Sequence, residues 1–110
     1  MDLYEELQLK QKQLDYSLKQ LPKLGKEYAS AYTQYRIELA KELVRLKNEG
    51  MPVTIAYDIA RGNPNVAKLK FNEIASESLY LACKESINVK KLEIKIIQEQ
   101  INKETSNIND

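Results

Sequence analysis

All six chain breakers of this 110-residue sequence stand in three places: Pro22 with Gly25, Gly50 with Pro52, and Gly62 with Pro64. A strand-rich fold of this size needs several tight turns, and tight turns draw on Gly and Pro. So few breaks leave room for little except long helices. The spacing predicts helical segments over about 2–21, 23–48, 54–61 and 65–103, within one domain spanning 1–110.

Hydrophobic periodicity strengthens that expectation. With a at Tyr4 and d at Leu7, one seam runs through Tyr4, Leu7, Gln11, Leu14, Leu18 and Leu21. It continues through Gly25, Tyr28, Tyr32, Tyr35 and Leu39 to Leu46, with Gln11 and Glu42 as polar defects. On this phase Gln11→Leu should stabilise the chain, and Leu39→Ala and Leu92→Ala, each central to an apolar stripe, should each cost ~2–5 kcal/mol. Pro22 lacks an N–H and crowds the preceding turn, so a kink is expected there. Segment 23–48 is expected to fold back on 65–103 as an antiparallel hairpin, with 2–21 reaching out as an arm to a partner; the competing topology makes 2–48 a single long arm.

The breaks carry their own capping signals. Gly50 suits a left-handed helix cap, and Pro52 bars continuation. Thr54 is a candidate N-cap for the short segment, and Asn63 or Asn65 for the last one. The tail 105–110 is polar and expected to fray.

The last segment has two apolar faces. At 100° per residue, Phe71, Ile74, Leu81, Ala82, Val89, Leu92 and Ile96 fall on one side. Leu69, Leu79, Cys83, Ile87, Ile94, Ile97 and Ile101 fall on another, about 150° away. One neighbouring helix covers only one such stripe, so a second subunit is expected on the other. The expected fold is therefore all-α: a long helical hairpin with coiled-coil character, kinked near Pro22 and oligomerising through its helices.

Signs of catalysis are missing. The chain has no histidine, and with it no member of the commonest general-base class. Neither a Gly-rich phosphate loop, a Cys pair nor a Ser motif with a usable base occurs. The single Cys83 lies in an apolar-periodic stretch and reads as a small core hydrophobe. Carboxylates pair at Glu38/Glu42 and Glu73/Glu77, where i,i+4 spacing permits a cation site, but lysines nearby favour a solvated charged face. A non-enzymatic protein without metal, cofactor or catalytic residues is expected.

Seventeen basic residues face sixteen acidic ones, so bulk charge does not announce nucleic-acid binding. A local surface does suggest it. Lys84, Lys91 and Lys95 fall within about 40° of one another on the last helix, with Asn88 beside them. Phosphates could follow such a ridge, and an oligomer would multiply it. The Tyr28, Tyr32 and Tyr35 ladder beside Arg36 and Lys26 invites a base-stacking reading, but its phase with Leu39 and Leu46 places it in the core or an interface. The stretch from Thr54 to Leu69 has helix-turn-helix order, though Asp58 stands where a small residue is usual and Pro64 interrupts the turn. No apolar run is long enough for a membrane span, and the acidic N-terminus is unlike a signal peptide; a cytoplasmic protein is expected.

From Tyr28 to Ile101 the layout resembles small helical proteins that tailed phages encode near their recombination and replication genes. The resemblance lies in Ala29-Ser30-Ala31-Tyr32, Gly50-Met51-Pro52-Val53, Asp58-Ile59-Ala60-Arg61-Gly62 and Asn65-Val66-Ala67-Lys68, and in the closing run from Ser78 to Ile87. Among characterised families it is similar to UvsY-type recombination mediators. That resemblance implies a homo-oligomer in the bacterial host cell that binds single-stranded DNA, here through Lys84, Lys91 and Lys95. A recombinase or single-strand-binding protein would be its partner. The competing expectation is a purely structural coiled-coil adaptor that binds no nucleic acid.

Overall fold

The computed structural model describes residues 1–109, with side chains as far as Asn107. They form three helices, α1 (Leu3–Asn48), α2 (Val53–Gly62) and α3 (Pro64–Asn109), and no strand occurs among the described residues. The fold is an all-α helical hairpin with α1 and α3 as its arms and α2 at the bend.

Local chemistry explains each boundary. The Asp2 carboxylate accepts the Glu5 N–H at 2.8 Å, capping α1, and Glu5 and Glu6 complement the positive end of the helix. At the other end Gly50 takes φ +84°. Its N–H reaches the Lys47 carbonyl at 2.9 Å and the Met51 N–H reaches the Leu46 carbonyl at 3.1 Å, the two bonds of a Schellman cap. Met51 also packs on the cluster that holds Leu46, which completes that motif. Helix α2 begins directly after Pro52 with no side-chain cap, so Thr54 sits inside the first turn and is not the N-cap. Asn63 caps α3: its Oδ1 accepts the N–H groups of Asn65 and Val66 at 2.9 and 3.3 Å. Pro64 follows at the first helical position, where its missing N–H has no bond to lose.

Pro22 does not divide α1, which continues as one helix from Leu3 to Asn48 in place of the two expected segments. Both Pro22 and Leu18 are exposed, so water can satisfy the Leu18 carbonyl that the proline leaves without a donor. Helix α3 runs to Asn109, beyond the expected end near 103; Asp110 lies outside the described residues. Nothing after Pro64 breaks that helix, and its last turns share a groove with Leu3 of α1.

Two compact units divide the chain. The unit of residues 24–80 contains the bend. Its core is Tyr35, Leu39 and Leu46 from α1, Ala56 and Ala60 from α2, and Val66 from α3. The two alanines, at 1% and 0% exposure, let α2 approach its neighbours closely. Higher up, the Tyr80 ring covers Gly25, where an added Cβ would come within 3.2 Å of Cε1.

The second unit joins Met1–Lys23 to α3 from Leu81 on. Here the segment expected to reach out as an arm instead pairs antiparallel with α3. Lys10 forms an ion pair with Glu93, and the Cys83 thiol donates to the Ser17 carbonyl at 3.3 Å. Ser17, Ile87 and Ile97 are buried between the helices. The seam of α1 is also shifted from the expected phase. Leu7, Leu14, Leu21, Tyr28 and Tyr35 do turn inward, but Tyr4, Gln11, Leu18 and Tyr32 are exposed. Lys10, Ser17, Leu24 and Ala31 take the inner places, because a seven-residue repeat admits two neighbouring seams and pattern alone weighted the larger side chains.

Candidate nucleic-acid interface

The two-faced reading of α3 has a direct structural counterpart in the second unit. Cys83, Ile87, Ile94, Ile97 and Ile101 are buried or half-buried toward α1. The other stripe is left open: Leu81 is 50% exposed, Val89 43%, Leu92 59% and Ile96 47%. The inner seam that these outer residues forgo is markedly polar, with Lys10, Gln13 and Ser17 contributed by α1.

Lys84, Lys91 and Lys95 flank the stripe about a quarter-turn round the helix, and all three are exposed, as is Asn88. No ion pair among the described residues involves Lys91 or Lys95. Lys90, one position away, behaves differently. It is half-buried and held by Glu93 at 3.5 Å, with Lys10 on the same carboxylate. Those two ammonium groups keep Glu93 below the usual carboxylate range, the hydrogen bond from Lys10 contributing most. The three sequence-selected lysines are exposed on one side of α3, and the Lys90–Glu93–Lys10 group that ties the helices together lies apart from them.

In the bend unit, the tyrosine ladder separates into three environments. Tyr35 is buried in the core as expected, Tyr28 is half-buried, and Tyr32 is exposed. Tyr28 stacks at a tilt on Tyr80, with centroids 6.2 Å apart. Its hydroxyl is held above the ordinary tyrosine value, chiefly by hydrogen bonding to the Glu77 carboxylate. The carboxylate pairs are similarly committed to structure. Glu73 is buried and bonded to Lys70 at 2.9 Å, Lys41 reaches Glu38 at 3.4 Å, and Glu42 is gripped by Arg45. No group of three metal-ligating side chains comes together among the described residues. Helices α2 and α3 are separated by Asn63 alone, too short a link for the three- to four-residue turn of a helix-turn-helix.

One feature of this unit had no sequence signature. An open cleft of about 470 Å³ is lined by Tyr32, Tyr35, Arg36 and Leu39 of α1, Tyr57 and Arg61 of α2, and Lys70 of α3. Its residues come from three elements separated by the bend, so only the fold brings them together. The one available clue was Tyr57 and Arg61 at i,i+4 spacing on α2, which places them on one helix face.

No protein-family model matches the chain, and no curated protein or solved structure matches it either. The resemblance to UvsY-type mediators rests on the quoted motifs alone. Among the described residues no helix is long and apolar enough to cross a membrane.

Proposed function

We propose that this chain is a non-enzymatic accessory protein of DNA recombination or replication, which self-associates through α3 and holds single-stranded DNA on its lysine ridge. The observation that carries the reading is the open stripe Leu81, Val89, Leu92 and Ile96 lying beside Lys84, Lys91 and Lys95 on one helix. A stripe at helical spacing fits another helix, and a second copy offers the same stripe in a self-complementary two-fold contact. Each added copy then adds a ridge. Repetition matters here, because a chain with net charge +1 has little long-range attraction for phosphate. Loading a recombinase, or a single-strand-binding protein, onto DNA held in this way is the role that the resemblance implies for such an assembly.

Fluorescence anisotropy with a labelled oligothymidine tests the proposal. Affinity should fall steeply with salt, each neutralised phosphate contributing about 0.7 to the logarithmic slope. Replacing Lys84, Lys91 and Lys95 together by Gln should flatten that slope by up to about 2 while helix content and assembled mass stay unchanged. Absence of binding at ~50 mM salt, where screening is still modest, would leave the alternative in place: a structural coiled-coil adaptor without nucleic acid.

A further inference from the structure

The chain has three arginines, and two of them line the same cleft. Arg45 shows what a structural arginine looks like here: it bonds Glu42 at 2.6 Å and Glu49 at 2.7 Å, locking the end of α1. Arg36 and Arg61 have no such carboxylate among the described residues, yet both line the cleft of the bend unit. Lys70 joins them there. Its ammonium lies 4.8 Å from the Tyr35 ring centroid, and its bond to Glu73 fixes it at the rim. No carboxylate is among the residues that line the cleft, so with Lys70 balanced by Glu73 the charges of Arg36 and Arg61 face it with no carboxylate partner among the described residues.

The aromatic surface is equally specific. The Arg61 guanidinium sits over the Tyr57 ring, 5.0 Å from its centroid, and Tyr57 and Tyr32 both remain exposed at the cleft. An arginine plane already resting on an aromatic ring is a stacking platform for a further flat, electron-rich ring. Cations beside stacking surfaces are the combination that single-strand binding sites use, one for phosphate and the other for base. The volume of about 470 Å³ falls within the roughly 300–1,000 Å³ of small-ligand sites, and the open shape lets a strand enter and leave.

We infer that the cleft between Arg36, Tyr57, Arg61 and Lys70 binds a phosphorylated nucleoside carried in a single strand. The base stacks on the Tyr57–Arg61 platform, and its phosphate meets Arg36 and Lys70. This deepens the proposed single-strand binding but uses a different unit of the chain from the lysine ridge.

Two variants in the full chain test it, Tyr57→Leu and the double change Arg36→Gln with Arg61→Gln, each beside the ridge variant. All of these side chains are exposed, and circular dichroism checks that the helices survive. With labelled oligothymidine, Tyr57→Leu should weaken binding roughly 5- to 150-fold, the range for one stacked base, and leave the salt slope unchanged. The double arginine change should lower that slope by about 0.7, the share of the one phosphate that Arg36 meets. The chain has seven tyrosines and no Trp, so the part of the quenching of tyrosine emission that Tyr57→Leu removes reports the stacking. Oligothymidine should quench that emission in wild type and in the ridge variant, but much less in Tyr57→Leu. Loss of binding in the ridge variant with both cleft variants at wild-type affinity overturns the cleft and leaves the ridge standing. The reverse pattern upholds the cleft and removes the ridge. Thymidine monophosphate that saturates the cleft while oligothymidine does not would overturn the single-strand assignment.

Discussion

Leu39 and Leu92 look equivalent in the sequence, each central to an apolar stripe, but the structure sets them apart. Leu39 is 5% exposed and packs in the cluster of Tyr35, Leu46, Ala56, Ala60 and Val66, whereas Leu92 is 59% exposed. Leu39→Ala removes three carbons, about 2.4 kcal/mol at ~0.8 kcal/mol for each buried group. The helices around it cannot close fully over the gap, and the cavity term brings the total to about 3–4 kcal/mol, inside the ~2–5 kcal/mol range of such changes. Leu92→Ala gives up less than half of the transfer contribution, about 1 kcal/mol or less, as long as the chain is dilute. At high protein concentration its cost should rise, because the side chain then leaves a contact between copies. Urea unfolding followed by circular dichroism, at low and high protein concentration, measures both numbers. Equal costs for the two variants in dilute solution would refute the assignment of inner and outer faces, and a Leu92→Ala cost independent of concentration would refute the second copy on the outer one.

Other changes probe the register, the caps and the ion pairs. The Gln13 carbonyl oxygen is buried without a partner, so Gln13→Leu should raise the urea midpoint by the equivalent of about 1 kcal/mol, while exposed Gln11→Leu should leave it unmoved. Gly50→Ala meets no steric obstacle, yet its positive φ should cost about 1–2 kcal/mol in thermal or urea unfolding. Glu93 has a depressed pKa through Lys10 and then Lys90, so its contribution to stability is present above the usual carboxylate range and is lost as pH falls through and below it. A pH series of melts should show that acid loss in wild type and a flatter profile in Glu93→Gln.

Much of the fold was legible because helices announce themselves through periodicity and through where breakers fall. The stops at Gly50 and Gly62 and the Asn63 cap are local chemistry, and local chemistry is written in adjacent residues. The failures have a common cause. Pro22 was read as a break because a proline's cost depends on whether its freed carbonyl meets water, which no single-chain pattern reveals. The outward arm and the phase of the α1 seam went astray for a related reason. The inner places belong to Lys10, Ser17 and Ala31, residues that look like surface until Glu93 and Cys83 are seen opposite the first two. Of the candidate site, the shared face of Lys84, Lys91 and Lys95 followed from helical geometry alone. The cleft of Arg36, Tyr57, Arg61 and Lys70 did not, since it exists only where three helices meet at the bend.

The central claim is that α3 holds the hairpin with one face and a second copy with the other. Sedimentation equilibrium at micromolar concentration tests it directly, on wild type and on Leu92→Glu, which sets a charge in the middle of the outer stripe. Wild type should report a mass at least twice the 12.7 kDa chain, and Leu92→Glu should report 12.7 kDa with its helix content intact. A wild-type mass of 12.7 kDa across that concentration range would contradict the claim and leave the outer stripe without a second copy to cover it.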